Sequence, residues 1–221
     1  MISISGSSQA EIIEKKSRFI GLAYHVKSLE DITDFLSKAK SEYPNANHYT
    51  YAYVLDDLHQ KAFDDSEPNR TAGYPILEVI NSNNLNYVLL IVIRYFGGTL
   101  LGTGGLIRAY SQTAQKTIEN AVISKKTATY YCKLVCSYEY LGDIDRIIRN
   151  RTILDRVEYD KSVVFYFTLD QNNFGEIKSL LYNHNNYQDT LTVIKESSKY
   201  IRIDYSDTQI KRWLHQQKEN R

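Results

Sequence analysis

Residues 87–121 read YVLLIVIRYFGGTLLGTGGLIRAYSQTAQKTIENA. Tyr87 to Phe96 is almost entirely apolar and rich in β-formers, the pattern of a strand covered on both faces. Five of the chain's ten glycines follow within nine residues: Gly97, Gly98, Gly102, Gly104 and Gly105. Leu106, Ile107, Tyr110, Ala114, Ile118 and Ala121 then recur at helical spacing, which predicts a helix beginning near Leu106. A strand, a glycine loop and a helix start suit an oxyanion. Glycine backbones approach a ligand closely, and a helix N-terminus offers unpaired N–H groups and partial positive charge. Arg94 and Arg108 flank the loop, and no Asp or Glu occurs between Glu78 and Glu119. The loop lacks the GK[ST] of a P-loop, and Ile107 stands where a GxGxxG fingerprint needs its last glycine. The alternative is that the glycines supply positive-φ turns and tight strand-to-helix packing.

Outward from this segment the pattern is mixed. Residues 18–26 read as a strand. Ser28 is a helix N-cap with Asp31 three residues on, and Leu29, Ile32, Phe35, Leu36 and Ala39 follow at helical spacing up to Pro44. His48 to Leu55 alternates as a second strand. Asp56 to Arg70 reads as a polar loop, and Pro75 falls in the first turn of a helix running to about Ile80. Beyond 128 the elements spell strand, helix, strand, strand, helix, strand to about 195. This βαββαβ order is the ferredoxin-like arrangement. A linker near Ile123 to Thr127 is therefore expected between two α+β domains, 1–124 and 128–205, followed by a basic tail at 206–221 containing Lys211 and Arg212.

Composition narrows the function classes. With 27 basic and 26 acidic residues the formal net charge is +1. Residues 1–126 carry 13 of each sign and residues 127–221 carry 14 and 13, so neither half is a basic module and any nucleic-acid site must come from local pattern. The longest apolar run, Val88 to Ile93, is far below a membrane span, and the first twenty residues lack a secretory series, so a cytoplasmic protein is expected. Cys132 and Cys136, about 13 Å apart along one strand face, are not placed to bridge each other and read as structural thiols. The 19 tyrosines accompany many Asn, Ile and Lys, as a coding bias would produce, and are weak grounds for base stacking.

Asp56, Asp57, Asp64, Asp65 and Glu67 form an acidic cluster that suits a hard cation or acid–base chemistry, although a solvated loop is the commoner explanation and no EF-hand spacing is present. His48, at the start of the strand leading into that loop, is a candidate proton carrier or hydrogen-bond partner. No GxSxG, HExxH or other complete catalytic signature is present.

Residues Arg94 to Tyr110 resemble the signature of the IMPACT/YigZ family. Residues 64–73, DDSEPNRTAG, resemble that family's DDGEPxGTAG element, with Ser66 and Arg70 in place of two glycines, and His48, Ala52 and Tyr53 resemble its HxxxAY element. The resemblance implies an N-terminal domain with the fold of the second domain of ribosomal protein S5, and a C-terminal domain like the fifth domain of elongation factor G. The family's eukaryotic members are translation regulators that bind the general-control activator through a chain that includes an RWD domain. None is read here, so that partner is not carried over. The expectation is thus an α+β protein contacting RNA, the ribosome or a translation-related protein through Arg94, Tyr95, Gly97, Gly98, Gly102, Gly104, Gly105 and Arg108, with no cofactor or metal. The alternative is an enzyme holding a phosphorylated small molecule on the glycine loop, with His48, Asp64, Asp65 and Glu67 as acid, base or metal ligands.

Overall fold

The computed structural model describes residues 1–56, 58–186 and 190–202. Asp57 and the basic tail at 206–221 lie outside them. The chain divides into two compact units between Lys125 and Lys126.

The first unit runs β1 (Ile2–Ser5), β2 (Ser7–Glu14), β3 (Ser17–His25), α1 (Leu29–Glu42), β4 (His48–Val54), β5 (Gln60–Phe63), α2 (Gly73–Ser82), β6 (Val88–Tyr95), α3 (Gly102–Glu119) and the start of β7 (Val122–Cys136). Strands β2, β3, β6, β4 and β5 form an antiparallel sheet in that order, so the most apolar strand lies in the middle. Alternate residues of β6 face two different cores. Val88, Leu90 and Val92 pack with Ile76, Ile80, Ala109, Tyr110 and Ala114 of α2 and α3. Leu89, Ile91 and Ile93 pack with Ile32 and Ala39 of α1. Burial on both faces is why this strand reads as a continuous apolar run rather than an alternating one.

Local signals explain the ends. The Ser28 hydroxyl accepts from the Asp31 N–H, and the Asp31 carboxylate accepts from the Ser28 N–H, which is a complete capping box. The β2–β3 turn has two central residues, Lys15 and Lys16, at φ 44° and 67°, a conformation whose twist matches the flanking strands.

Three expectations are corrected. The polar stretch 56–70 contains β5, a short edge strand paired to β4. Helix α3 begins at Gly102, four residues before Leu106, so Gly104 and Gly105 lie inside its first turns. Residues 123–127 belong to β7, whose first four residues pair with β1, rather than to a linker.

In the second unit β7 continues, followed by α4 (Leu141–Arg151), β8 (Ile153–Tyr159), β9 (Val163–Asp170), α5 (Phe174–His184) and β10 (Leu191–Arg202). The sheet order is β10-β7-β9-β8. Cys132, Leu134, Cys136, Phe165 and Phe167 pack with Ile144, Ile148, Ile177 and Leu181 of the two helices. No helix among the described residues is long and apolar enough to cross a membrane.

Both cysteines are buried and free. Burial pushes the Cys132 thiol up from 9.0 to about 11. A raised folded value means that the unfolded chain loses its proton first. This contribution is therefore complete below pH 9 and is lost as pH rises through about 11, a change of about 2 to 3 kcal/mol at most. Urea unfolding at pH 8 and 10.5 should show the loss, and Cys132→Ala should remove that part of the slope. An identical slope in the variant rules the thiol out as its source.

Candidate functional site

Arg94 is the penultimate residue of β6, and the register sets it opposite Phe19 on β3 and His48 on β4. It continues the series Val88, Leu90, Val92, so it points toward the α2/α3 layer where Tyr110 of α3 lies. The loop between β5 and α2 delivers Glu67 into this corner. Glu67 Oε1 accepts from Arg94 Nη1 at 2.6 Å and from the Tyr110 hydroxyl at 2.7 Å. His48 Nε2 lies 3.7 Å from the same oxygen. Arg94 is 5% exposed, Glu67 8% and Tyr110 0%. Burial, followed by the bond to Glu67 and its charge, pushes the Tyr110 phenol far above its ordinary range, so it remains a neutral donor. The Arg94 guanidinium also lies 5.3 Å from the Phe19 ring centroid and 5.5 Å from that of Phe96. Its Nε is buried without a hydrogen-bond partner.

His48 Nδ1 is 2.7 Å from the Asp65 carbonyl. A carbonyl accepts only, so Nδ1 carries a proton, and in the neutral ring Nε2 turns a lone pair toward Glu67. Protonation of Nε2 gives that carboxylate a third positive or donating neighbour.

The carboxylates of Asp64 and Asp65 are committed to backbone groups. Asp64 accepts from the N–H groups of Arg70, Ala72 and Gly73, which ties the loop to the start of α2. Asp65 Oδ2 accepts from the Tyr49 N–H at 2.6 Å. Asp65, Ser66 and Arg70 adopt φ of 41°, 66° and 61°. Ser66 and Arg70 thus hold the left-handed conformation at the two positions where the resembling element has glycine. Among the described residues no group of three or more His, Cys, Asp or Glu is arranged to hold a metal ion.

The glycine loop leaves this corner directly. The Phe96 N–H donates to Asn47 Oδ1, and the Gly97 N–H donates to the Ser17 hydroxyl. A Cβ on Gly97 would stand 2.0 Å from the Lys16 carbonyl carbon, whereas one on Gly104 would meet nothing within 4 Å. Gly98 and Gly102 have φ of 82° and 73°. Leu101, at the N-cap of α3, makes no side-chain cap, and the first turn holds no acidic residue. The Arg108 side chain is exposed and makes no ion pair or hydrogen bond among the described residues. Tyr95 is half-buried, its hydroxyl donating to the Pro44 carbonyl at 3.1 Å.

The structure therefore brings together His48, Glu67 and Arg94, and leaves Arg108 apart on the helix surface. Arg94 is corrected from a phosphate contact to the buried partner of Glu67. The stretch without carboxylates in sequence is not free of them in space, because Glu67 arrives from 27 residues away. Tyr110 and Asn47 join the site without having been expected there. The signal for Tyr110 is a tyrosine among the buried positions of a helix, since a buried hydroxyl requires a partner.

Comparison with known proteins follows the same geography. Residues 15–118 match the Impact N-terminal domain family model, which takes in His48, the acidic loop and the glycine loop. YvyE of Bacillus subtilis is 33% identical over 186 residues, covering 81% of this chain and 86% of that protein. YigZ of Escherichia coli K12 is 36% identical over 138 residues, covering 61% and 68%. A solved structure described as a hypothetical protein superposes with a TM-score of 0.56 at 25% identity, covering 93% of this chain and 98% of the other. The chain belongs to the IMPACT family.

Proposed function

We propose that this protein is a translation-associated regulator that binds RNA or the ribosome through the start of α3 and its glycine loop, in the cytoplasm. We infer further that its first unit has the fold of the second domain of ribosomal protein S5, and that the two units act as separate domains. The order β10-β7-β9-β8 supports a ferredoxin-like second unit.

The observation that carries the binding reading is Gly104. A glycine in an exposed first helical turn costs about 0.5 to 1 kcal/mol relative to alanine, and here neither φ nor packing requires it. The open space where a Gly104 side chain would stand leaves room for a phosphate to approach this turn. Arg108, four residues on, is on the same side of the helix, and helical side chains lean toward the N-terminus, which brings its guanidinium back over that turn.

Titration of a fluorescent single-stranded RNA decamer tests this. Gly104→Ala should raise thermal stability slightly and weaken binding. Arg108→Lys should weaken binding with stability unchanged, because a planar fork grips two phosphate oxygens where an ammonium grips one. With Arg94 withdrawn from the contact set, Arg108 is the one cation of that set left on this surface among the described residues, and its contribution to the log–log salt slope should be about −0.7. Unchanged affinity in both variants removes the loop from the reading.

A second reading is favoured by the approach of His48 Nε2 to Glu67 Oε1 at 3.7 Å beside Arg94. It is an enzyme acting on a phosphorylated small molecule, with His48 exchanging the proton. His48→Gln separates the two: it abolishes turnover under this reading and leaves RNA affinity intact under the first.

A further inference from the structure

Helices α4 and α5 cover one face of the second sheet. Strand alternation sends Tyr131, Lys133 and Val135 of β7, and Val164, Tyr166 and Thr168 of β9, to the other. The register pairs Tyr131 with Thr168 and Lys133 with Tyr166, so the two tyrosines are diagonal neighbours on adjacent strands. Their ring centroids are 6.4 Å apart with planes 25° apart. The Arg156 guanidinium of β8 lies 3.7 Å over the Tyr166 ring, and its Nη1 donates to the Tyr131 hydroxyl at 3.1 Å. Lys199 of β10 donates to Thr168 Oγ1, which places a third cation on this face.

The acids of the same face lie together on β8. Asp155 accepts from the Tyr131 hydroxyl, and Glu158 from Arg156 Nε. The Arg156 and Glu158 side chains are 51% and 53% exposed, and a pair that exposed adds little to stability, so Arg156 is free to exchange partners. Positive charge is thus carried on β7 and β10, beside two nearly parallel rings on the middle strands and a guanidinium plane that extends them.

We propose that this face binds single-stranded RNA, with bases stacked on Tyr131, Tyr166 and the Arg156 guanidinium and phosphates on Lys133 and Lys199. The Tyr131 ring, and the guanidinium plane of Arg156 that covers the Tyr166 ring, present flat π-faces that an unpaired base can cover, while flanking lysines follow the backbone. A duplex keeps its bases stacked inside and offers such a surface its phosphates alone. RNA rather than DNA rests on the translation-associated reading above; the stacking argument does not depend on it.

The test uses the full chain and fluorescent single-stranded RNA and DNA decamers of one sequence, with a duplex RNA of equal length. Tyr131→Ala and Tyr166→Ala should each weaken RNA binding by roughly 5- to 100-fold, while Tyr131→Phe and Tyr166→Phe, which keep the ring, bind more tightly than the alanine variants. Alanine variants with parental affinity, phenylalanine variants as weak as the alanine ones, or equal affinity for duplex overturn the platform. Equal affinity for the DNA decamer overturns the choice of RNA. Should an alanine variant fail to fold, a 4-thiouridine decamer photo-crosslinked to the parent protein decides. Adducts in peptides spanning 128–170 support the proposal, and adducts confined to other peptides overturn it. Gly104→Ala and Arg108→Lys separate the two surfaces. If they leave affinity intact while the tyrosine variants lose it, the loop reading fails and the platform stands. If they lose affinity while the tyrosine variants keep it, the platform fails and the loop stands.

Discussion

Glu67→Ala is expected to lower the stability of the first unit by about 3 to 5 kcal/mol, the cost of leaving a buried charge without its partner. The carboxylate oxygen that accepts from both Arg94 and Tyr110 disappears, and the Arg94 guanidinium, already buried with Nε unpaired, keeps its positive charge among Phe19, Phe96 and Tyr110. The Tyr110 hydroxyl loses its acceptor as well, adding about 1 to 3 kcal/mol of desolvation that is not fully independent of the first. Glu67→Gln keeps an oxygen in place but not the charge, so its loss should be smaller. The paired replacement Glu67→Leu with Arg94→Met is the informative control: removing both charges should recover most of the stability, because an apolar pair avoids the desolvation that the ion pair only offsets. Urea unfolding of the parent, these variants and the two single changes Glu67→Leu and Arg94→Met measures this directly. If the double variant is as unstable as the sum of its single changes, the network acts through loop geometry rather than through charge.

The corner that Glu67 occupies explains what the sequence discloses and what it does not. Strand β6 and the Ser28 cap are legible because their signals are local, a two-sided apolar run and a residue pair three apart. The Glu67–Arg94 pair joins a loop to a strand 27 positions away, and no periodicity carries that distance. Strand β5 escapes pattern reading because Gln60 to Phe63 is a four-residue edge with one half-buried side chain. The polar run Ser124, Lys125, Lys126 resembles a linker, yet β1 pairs with Ser124 and Lys125, and Ser124 is buried. Glycines at 102, 104 and 105 push the expected start of α3 to Leu106, since glycine is a poor helix former; the helix tolerates them and leaves its first turn bare. Composition treats all the tyrosines alike and so hides Tyr131 and Tyr166. Their strand register, with Arg156 over one ring, separates them from the rest.

Gly97→Ala is expected to destabilise the first unit by about 3 kcal/mol or more, beyond the usual cost of overpacking, because the obstacle is main chain. The added Cβ would fall 2.0 Å from the Lys16 carbonyl carbon and 2.2 Å from its oxygen. A side-chain tip yields to such a clash by changing rotamer. The β2–β3 turn cannot, since Lys15 and Lys16 already sit at positive φ and the flanking residues Glu14 and Ser17 are paired. Relief requires the loop to lift off the hairpin, which breaks the bond from the Gly97 N–H to the Ser17 hydroxyl and pulls on Arg94 three residues back. Gly104→Ala introduces the same methyl group into open space and should gain about 0.5 to 1 kcal/mol in helix propensity. The two substitutions are chemically identical and seven residues apart, so their difference in thermal midpoint reports backbone environment alone. Equal midpoints would mean that the loop is free to leave the hairpin. In that case Gly97 no longer has a structural explanation and joins Gly104 as a position kept open for a ligand.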